Sequence, residues 1–135
     1  MRSTAGAFLD TNVLIYAFTT DRRAAAAQAL LGRGCVTSVQ ALNEFTNVAR
    51  RKLGMTWHEI RAALADIRTL CPAIAALDLP THEEALRIAE RHGYTIFDAL
   101  IVAAALRARC AILYSEDMRD GITIAGRLRI VDPFR

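Results

Sequence analysis

What this sequence lacks narrows it quickly. There is no CxxC pair, and the three cysteines, Cys35, Cys71 and Cys110, are spread through 135 residues. An odd, widely spaced set in apolar surroundings is neither a disulfide framework nor a zinc site; it reads as reduced cysteine in the core of a cytosolic protein. His58, His82 and His92 show no ligand spacing, and each reads as a helix-surface residue. Long apolar runs are missing as well. The longest, residues 99–106, falls far short of the roughly 20 residues that cross a bilayer. The opening MRSTAGAFLD has no apolar h-region, so no secretory signal is expected. The protein is expected in the cytoplasm, with no membrane partner. There is no GxxxxGK[ST] phosphate loop, no complete dinucleotide fingerprint around GRG at 32–34, and no GxSxG elbow. The concentrated chemistry that is left is carboxylate chemistry.

The length fits one domain spanning residues 1–135. Alanine supplies 25 residues, and alanine favours helix while burying little area. The net charge of +3 weakly favours an anionic partner such as nucleic acid. The cations are almost all arginine and are dispersed, with one cluster at Arg50-Arg51-Lys52; a solvated surface accounts for most of them.

Short apolar runs alternate with helical patterns. Strands are expected at 6–10, 34–38, 73–79, 111–115 and 128–132. Between the first two, a helical stretch breaks near Thr19-Thr20-Asp21. Ser38 caps a helix over 38–53. Thr56 and Glu59 form a capping box opening a helix to about Leu70, and Thr81 and Glu84 form another opening a helix that ends at Gly93. A helix from about Ile96 to Arg109 is apolar on all sides and is expected in the core. The alternation predicts an α/β fold: a central parallel sheet of about five strands with helices on both faces. Ligands in such folds bind beyond the carboxyl ends of the strands.

Two acids stand there. Asp10 ends the first strand, where it fits a helix N-cap as well as a site. Asp117 follows the fourth strand in YSEDMRDG, an acidic loop with Glu116 and Asp120 close by. The two lie close together if those strands are neighbours. Glu44 falls on the face of its helix opposite Val39, Leu42, Phe45 and Leu53, beside Gln40, Asn47 and Arg51, and periodicity reads it as solvated. Asp98 opens the apolar helix, where Thr95-x-x-Asp98 fits a capping-box variant and the helix dipole favours a carboxylate. So near the core, it needs a partner. Spacing alone does not place Asp98 near Asp10.

These segments, FLDTNVLIYAF, the S…NEF of 38–45, FDALIVAAAL and LYSEDMRDG…LRIVDPF, together resemble a PIN-domain ribonuclease of the VapC toxin type. The resemblance runs nearly the whole length, in the right order. It implies a PIN-like three-layer sandwich and an endoribonuclease that uses Mg²⁺ or Mn²⁺. It implies an acidic site of Asp10, Glu44, Asp98 and Asp117, with polar support from Thr11 or Asn12 and from Ser115. Among the loop acids the match favours Asp117. It further implies an RNA substrate, a cognate VapB-type antitoxin and a homodimer, with DNA reached only through the antitoxin. Of the arginines, Arg51 and Arg119 are best placed for substrate. Two other readings stand beside it: a PIN-type nuclease in RNA processing or on structured DNA without an antitoxin, and a non-catalytic scaffold binding RNA or protein. Four carboxylates brought together without metal repel one another, so at least one pKa is expected to rise.

Overall fold

The computed structural model describes residues 6–135; residues 1–5, part of the N-terminal segment with no apolar h-region, lie outside the described residues. The strands are β1 (Phe8–Leu9), β2 (Val36–Ser38), β3 (Ala73–Ala75), β4 (Ile112–Tyr114), β5 (Thr123–Ile124) and β6 (Leu128–Val131), in the order β3-β2-β1-β4-β6-β5. Every pairing is parallel except β5 with β6. The helices are α1 (Thr11–Tyr16), α2 (Ala24–Leu31), α3 (Val39–Arg51), α4 (Trp57–Leu70), α5 (Leu79–His92) and α6 (Ile96–Arg107).

The parallel centre follows from its strands being apolar on both sides. Phe8 and Leu9 point to opposite faces and are 0% and 1% exposed, which requires helices over both. Thr37, fully buried in β2, donates its hydroxyl to the Leu9 carbonyl at 3.0 Å. Close approach of the chain fixes Gly6: a Cβ there would meet the Gly34 carbonyl at 2.6 Å. Helix α6 is buried through Ala99, Leu100, Ile101, Val102, Ala103, Ala104, Ala105 and Leu106, as its all-round apolar sequence requires. No helix among the described residues is long and apolar enough to cross a membrane.

Most helix boundaries agree with their signals. Ser38 accepts from Ala41 N at 3.1 Å, the Thr56–Glu59 box closes in both directions, and Gly93 takes the left-handed conformation at φ 74°. Three expectations are corrected. The sheet has six strands rather than five. The extra one, β5, is two residues long and turns into β6 through Ala125 and Gly126, at φ 54° and 68°. Such a turn usually announces itself with Asn-Gly or Asp-Gly, and Ala-Gly does not. The third strand stops at Ala75, well before residue 79. Helix α5 opens at Leu79, two residues before Thr81, because Asp78 is the cap: it accepts from Thr81 N at 3.0 Å and from the Thr81 hydroxyl at 2.6 Å. Pro80 then sits in the first turn, where its missing N–H costs nothing.

Candidate functional site

β1 and β4 lie side by side, with Leu9 opposite Tyr114. The residues that follow, Asp10 and Ser115, therefore leave the sheet together, and Asp10 N donates to the Tyr114 carbonyl at 3.0 Å. Asp10 is 4% exposed. Its Oδ1 accepts from Thr11 N at 2.6 Å; its Oδ2 accepts from the Ser115 hydroxyl at 2.8 Å and from Asn12 Nδ2 at 3.4 Å. Asp10 thus caps α1, and it does so inside a polar pocket. Burial pushes its carboxyl up to about 7 against the pull of the Ser115 and Thr11 hydrogen bonds, and the negative charges of Asp98 and Glu44 push the same way. Those two fields answer the question spacing left open: both acids stand near Asp10.

Glu44 comes from the second turn of α3. It is half-buried rather than solvated, which corrects the reading from periodicity. Gln40, one turn earlier and 8% exposed, donates Nε2 to Glu44 Oε2 at 2.6 Å. Burial raises the Glu44 carboxyl against the Gln40 hydrogen bond, and Asp98 and Asp117 raise it further. Two residues expected on the buried stripe, Val39 and Leu53, are 37% and 40% exposed.

Asp98 stands in the first turn of α6, where Thr95 caps its backbone N–H at 3.2 Å. It is half-buried. Burial raises its carboxyl, and the charge of Asp117 adds to that. Asp117 itself is exposed, just past β4, and makes no hydrogen bond or ion pair among the described residues.

The other loop acids are already engaged. Glu116 accepts from the Tyr16 hydroxyl at 2.6 Å and from Arg23 Nη1 at 2.5 Å. Burial alone would raise the Glu116 carboxyl, but these two partners hold it below the usual range. Asp120 accepts from Asp132 N at 2.7 Å and faces Arg135 at 3.7 Å. Asn12 ties the first loop to the last by accepting from Glu116 N at 3.2 Å. Of the three acids after β4, Asp117 alone is left facing Glu44 and Asp98.

Asp10, Glu44, Asp98 and Asp117 thus come from four separated segments, and none forms an ion pair among the described residues. Two buried side-chain oxygens among the described residues lack a hydrogen-bond partner, Thr11 Oγ1 and Tyr94 Oη. Both belong to this cluster. The Thr11 hydroxyl lies beside Glu44, where it favours the charged form without reaching hydrogen-bond geometry. Tyr94 feels the charge of Asp98 and, in the opposite sense, of Arg119. Orphaned buried hydroxyls are costly, and both stand at the edge of the acidic cluster. The donors are hard oxygens in excess negative charge, the set that suits Mg²⁺ or Mn²⁺. No three acidic, histidine or cysteine side chains among the described residues are close enough together to hold a metal.

Of the two arginines expected to meet substrate, Arg119 lies at the cluster's edge beside Tyr94. Arg51 is exposed two turns along α3 from Glu44, about 10 Å away along the axis. Sequence reasoning missed Gln40 and Tyr94. Gln40 carried a signal, its i,i+4 spacing to Glu44; Tyr94, directly before the cap of α6, carried none that pointed to the acids.

The family model for the PIN domain matches residues 7–120. Among solved structures, the Mycobacterium tuberculosis toxin VapC20, described as cleaving the sarcin–ricin loop, is similar at 23% identity, with 83% of this chain and 90% of that chain covered and a TM-score of 0.66. A toxin–antitoxin complex from Klebsiella pneumoniae is similar at 22% identity, covering 95% and 98%, with a TM-score of 0.73. No curated protein sequence matches the chain.

Proposed function

Because the chain belongs to the PIN-domain family, we propose that it is a Mg²⁺- or Mn²⁺-dependent endoribonuclease, the toxin of a toxin–antitoxin pair. The observation that supports the reading is that Asp10, Glu44, Asp98 and Asp117 lie within range of one another's charge while none is ion-paired among the described residues. The raised carboxyls of Asp10, Glu44 and Asp98 reflect burial and a repulsion that the protein bears unaided. The likeness in fold to a toxin and to a chain of a toxin–antitoxin complex directs the reading toward a toxin and a VapB-type antitoxin partner. A homodimer and a cytoplasmic setting are part of the same proposal.

A divalent cation bound here supplies neutralising charge to the phosphodiester and acidifies water at neutral pH. The chain's own groups do the rest. Asp10 and Asp98 would hold the principal cation, Asp10 being kept in one orientation by Ser115, Asn12 and the Thr11 backbone. Asp117 would hold the same cation or a second one. Glu44, steadied by Gln40, would orient the attacking water or bind the second cation. Arg119 and Arg51 receive phosphates on either side.

The test is induced expression of the wild-type chain and of Asp10→Asn, with sequencing of RNA ends. New 5′ ends that appear with the wild type and vanish with a folded Asp10→Asn chain support the reading and name the substrate. Cleavage that survives in the variant refutes the site, whereas a loss of about a hundredfold or more is expected when charge stabilisation of this kind is removed.

A further inference from the structure

A second charged feature lies outside the acidic cluster. Helices α5 and α6 and the β5–β6 turn border an open cavity of about 560 Å³, whose walls include Arg87, Arg91, His92, Leu106 and Gly126. Arg87 and Arg91 are exposed and make no ion pair among the described residues. They stand one helical turn apart, about 6 Å. Glu84, the one acid lining the cavity among the described residues, faces Arg107 at 3.9 Å. Across the cavity, Arg127 donates Nη1 to the Leu106 carbonyl at 3.1 Å, which brings a further guanidinium to the rim. Unpaired arginines of this kind attract a polyanion.

The cavity is joined to the acidic cluster. His92, in its wall, stacks on Tyr94 with ring centroids 6.0 Å apart and an interplanar angle of 27°. Tyr94 in turn lies in the fields of Asp98 and Arg119. Along α6, Leu106 at the cavity and Asp98 at the acids are eight residues apart, about 12 Å. A path therefore leads from the acids over two stacked rings to a pair of free arginines. Aromatic rings followed by cations are how single-stranded nucleic acid is held without sequence preference. An acidic peptide would use the arginines but has no use for the rings.

We propose that this path is a subsite for single-stranded RNA, in which nucleotides flanking the scissile bond stack at His92 and Tyr94 and place their phosphates against Arg91 and Arg87. The inference rests on the nuclease reading for its ligand, and its test is separable from that reading.

The proteins compared are Asp10→Asn, which binds without cutting, and the same chain with Arg87→Glu and Arg91→Glu added. The probe is a labelled single-stranded RNA of random sequence, about 16 nucleotides long, followed by fluorescence anisotropy over a salt series. The double substitution is expected to weaken binding roughly tenfold and to flatten the log–log salt slope by about 1.4, at about 0.7 for each phosphate that no longer meets an arginine. If that pair fails to fold, Arg87→Gln with Arg91→Gln serves, with the same expected flattening. Unchanged affinity and slope overturn the subsite, as does a polyglutamate peptide that competes as well as RNA. Cleavage by the chain with its acids intact is assayed separately. RNA cut as before while the arginine variant binds normally removes the subsite and leaves the nuclease. Arginine-dependent binding with no cleavage by the intact chain removes the nuclease and leaves the subsite.

Discussion

Glu116 and Asp117 are neighbours in sequence and belong to opposite electrostatic worlds. Glu116 sits in a network with Tyr16, Arg23 and Asp21, where Arg23 also pairs with Asp21 at 2.8 Å and lies over the Tyr16 ring at 4.3 Å. Every acid there has a donor; the Asp21 carboxyl is held low by its Arg23 hydrogen bonds, and the Glu116 carboxyl ends below its ordinary range. Asp117 turns the other way, toward Glu44 and Asp98, whose carboxyls are raised. The two clusters share residue types and the same end of the sheet. They differ in whether a cation is built in. One is finished as folded; the other is left with charge that only an incoming cation can balance. An acid by itself is a poor marker of function. Three acids with raised pKa values and no arginine among them mark it far better.

The sharpest way to break this contrast is to remove the charge at its most buried point. The Asp10 carboxyl is raised in the folded state, so the stability its protonation lends is fully present below the unfolded value near 4 and is lost as pH rises through about 7. The loss at pH 8 is on the order of 4 kcal/mol at most. Metal-free Asp10→Asn is therefore expected to melt above the wild type at pH 8, by up to about 14 °C, with the gap closing toward pH 4. Added Mg²⁺ should stabilise the wild type and leave the variant unmoved. An equal or lower melting temperature for the variant at pH 8 means that Asp10 is only a helix cap.

How far all this could be read beforehand differs from residue to residue. Asp10 and Asp117 drew attention because each follows a strand and ligands gather at those ends; that the two strands are neighbours came only with the structure. Glu44 was misread because a helical period shows which residues face the core and says nothing of what the other edge meets. That edge of α3 meets the cleft, so Gln40 is buried and Val39 is not. Asp98 announced a need for a partner without naming one, since its nearness to Asp10 exists only in three dimensions. The six-strand sheet and the Asp78 cap escaped for a local reason: a two-residue strand has no period, and Asp78 lies within the span expected for the end of the third strand.

The neighbours Glu116 and Asp117 sharpen the contrast directly. Asp117→Asn is expected to weaken Mn²⁺ binding by at least about tenfold in calorimetry and to bring the Glu44 and Asp98 carboxyls back toward their ordinary values. Glu116→Gln is expected to leave metal affinity alone and lower the melting temperature, because it removes the charge that pairs with Arg23 and leaves one acceptor oxygen for two donors, Arg23 and Tyr16. The opposite pattern would exchange the roles of the two acids.

The smallest change tests the idea that the acidic cluster is unfinished as folded. Thr11 Oγ1 is buried with no partner, next to a half-buried carboxylate. Thr11→Val keeps the shape, keeps the backbone N–H that Asp10 uses, and removes an unsatisfied hydroxyl. If the hydroxyl waits for a hydrated cation, the metal-free variant gains about 1 kcal/mol in a urea titration. Saturating Mg²⁺ then shrinks or reverses that gain, because the hydroxyl finds its partner in the loaded wild type. The same swap made at Thr37, whose hydroxyl already donates to Leu9, can only lose stability, with or without metal. A Thr11→Val chain that loses stability without metal would show that the hydroxyl is satisfied in the folded state, and the two clusters would then differ less than their charges suggest.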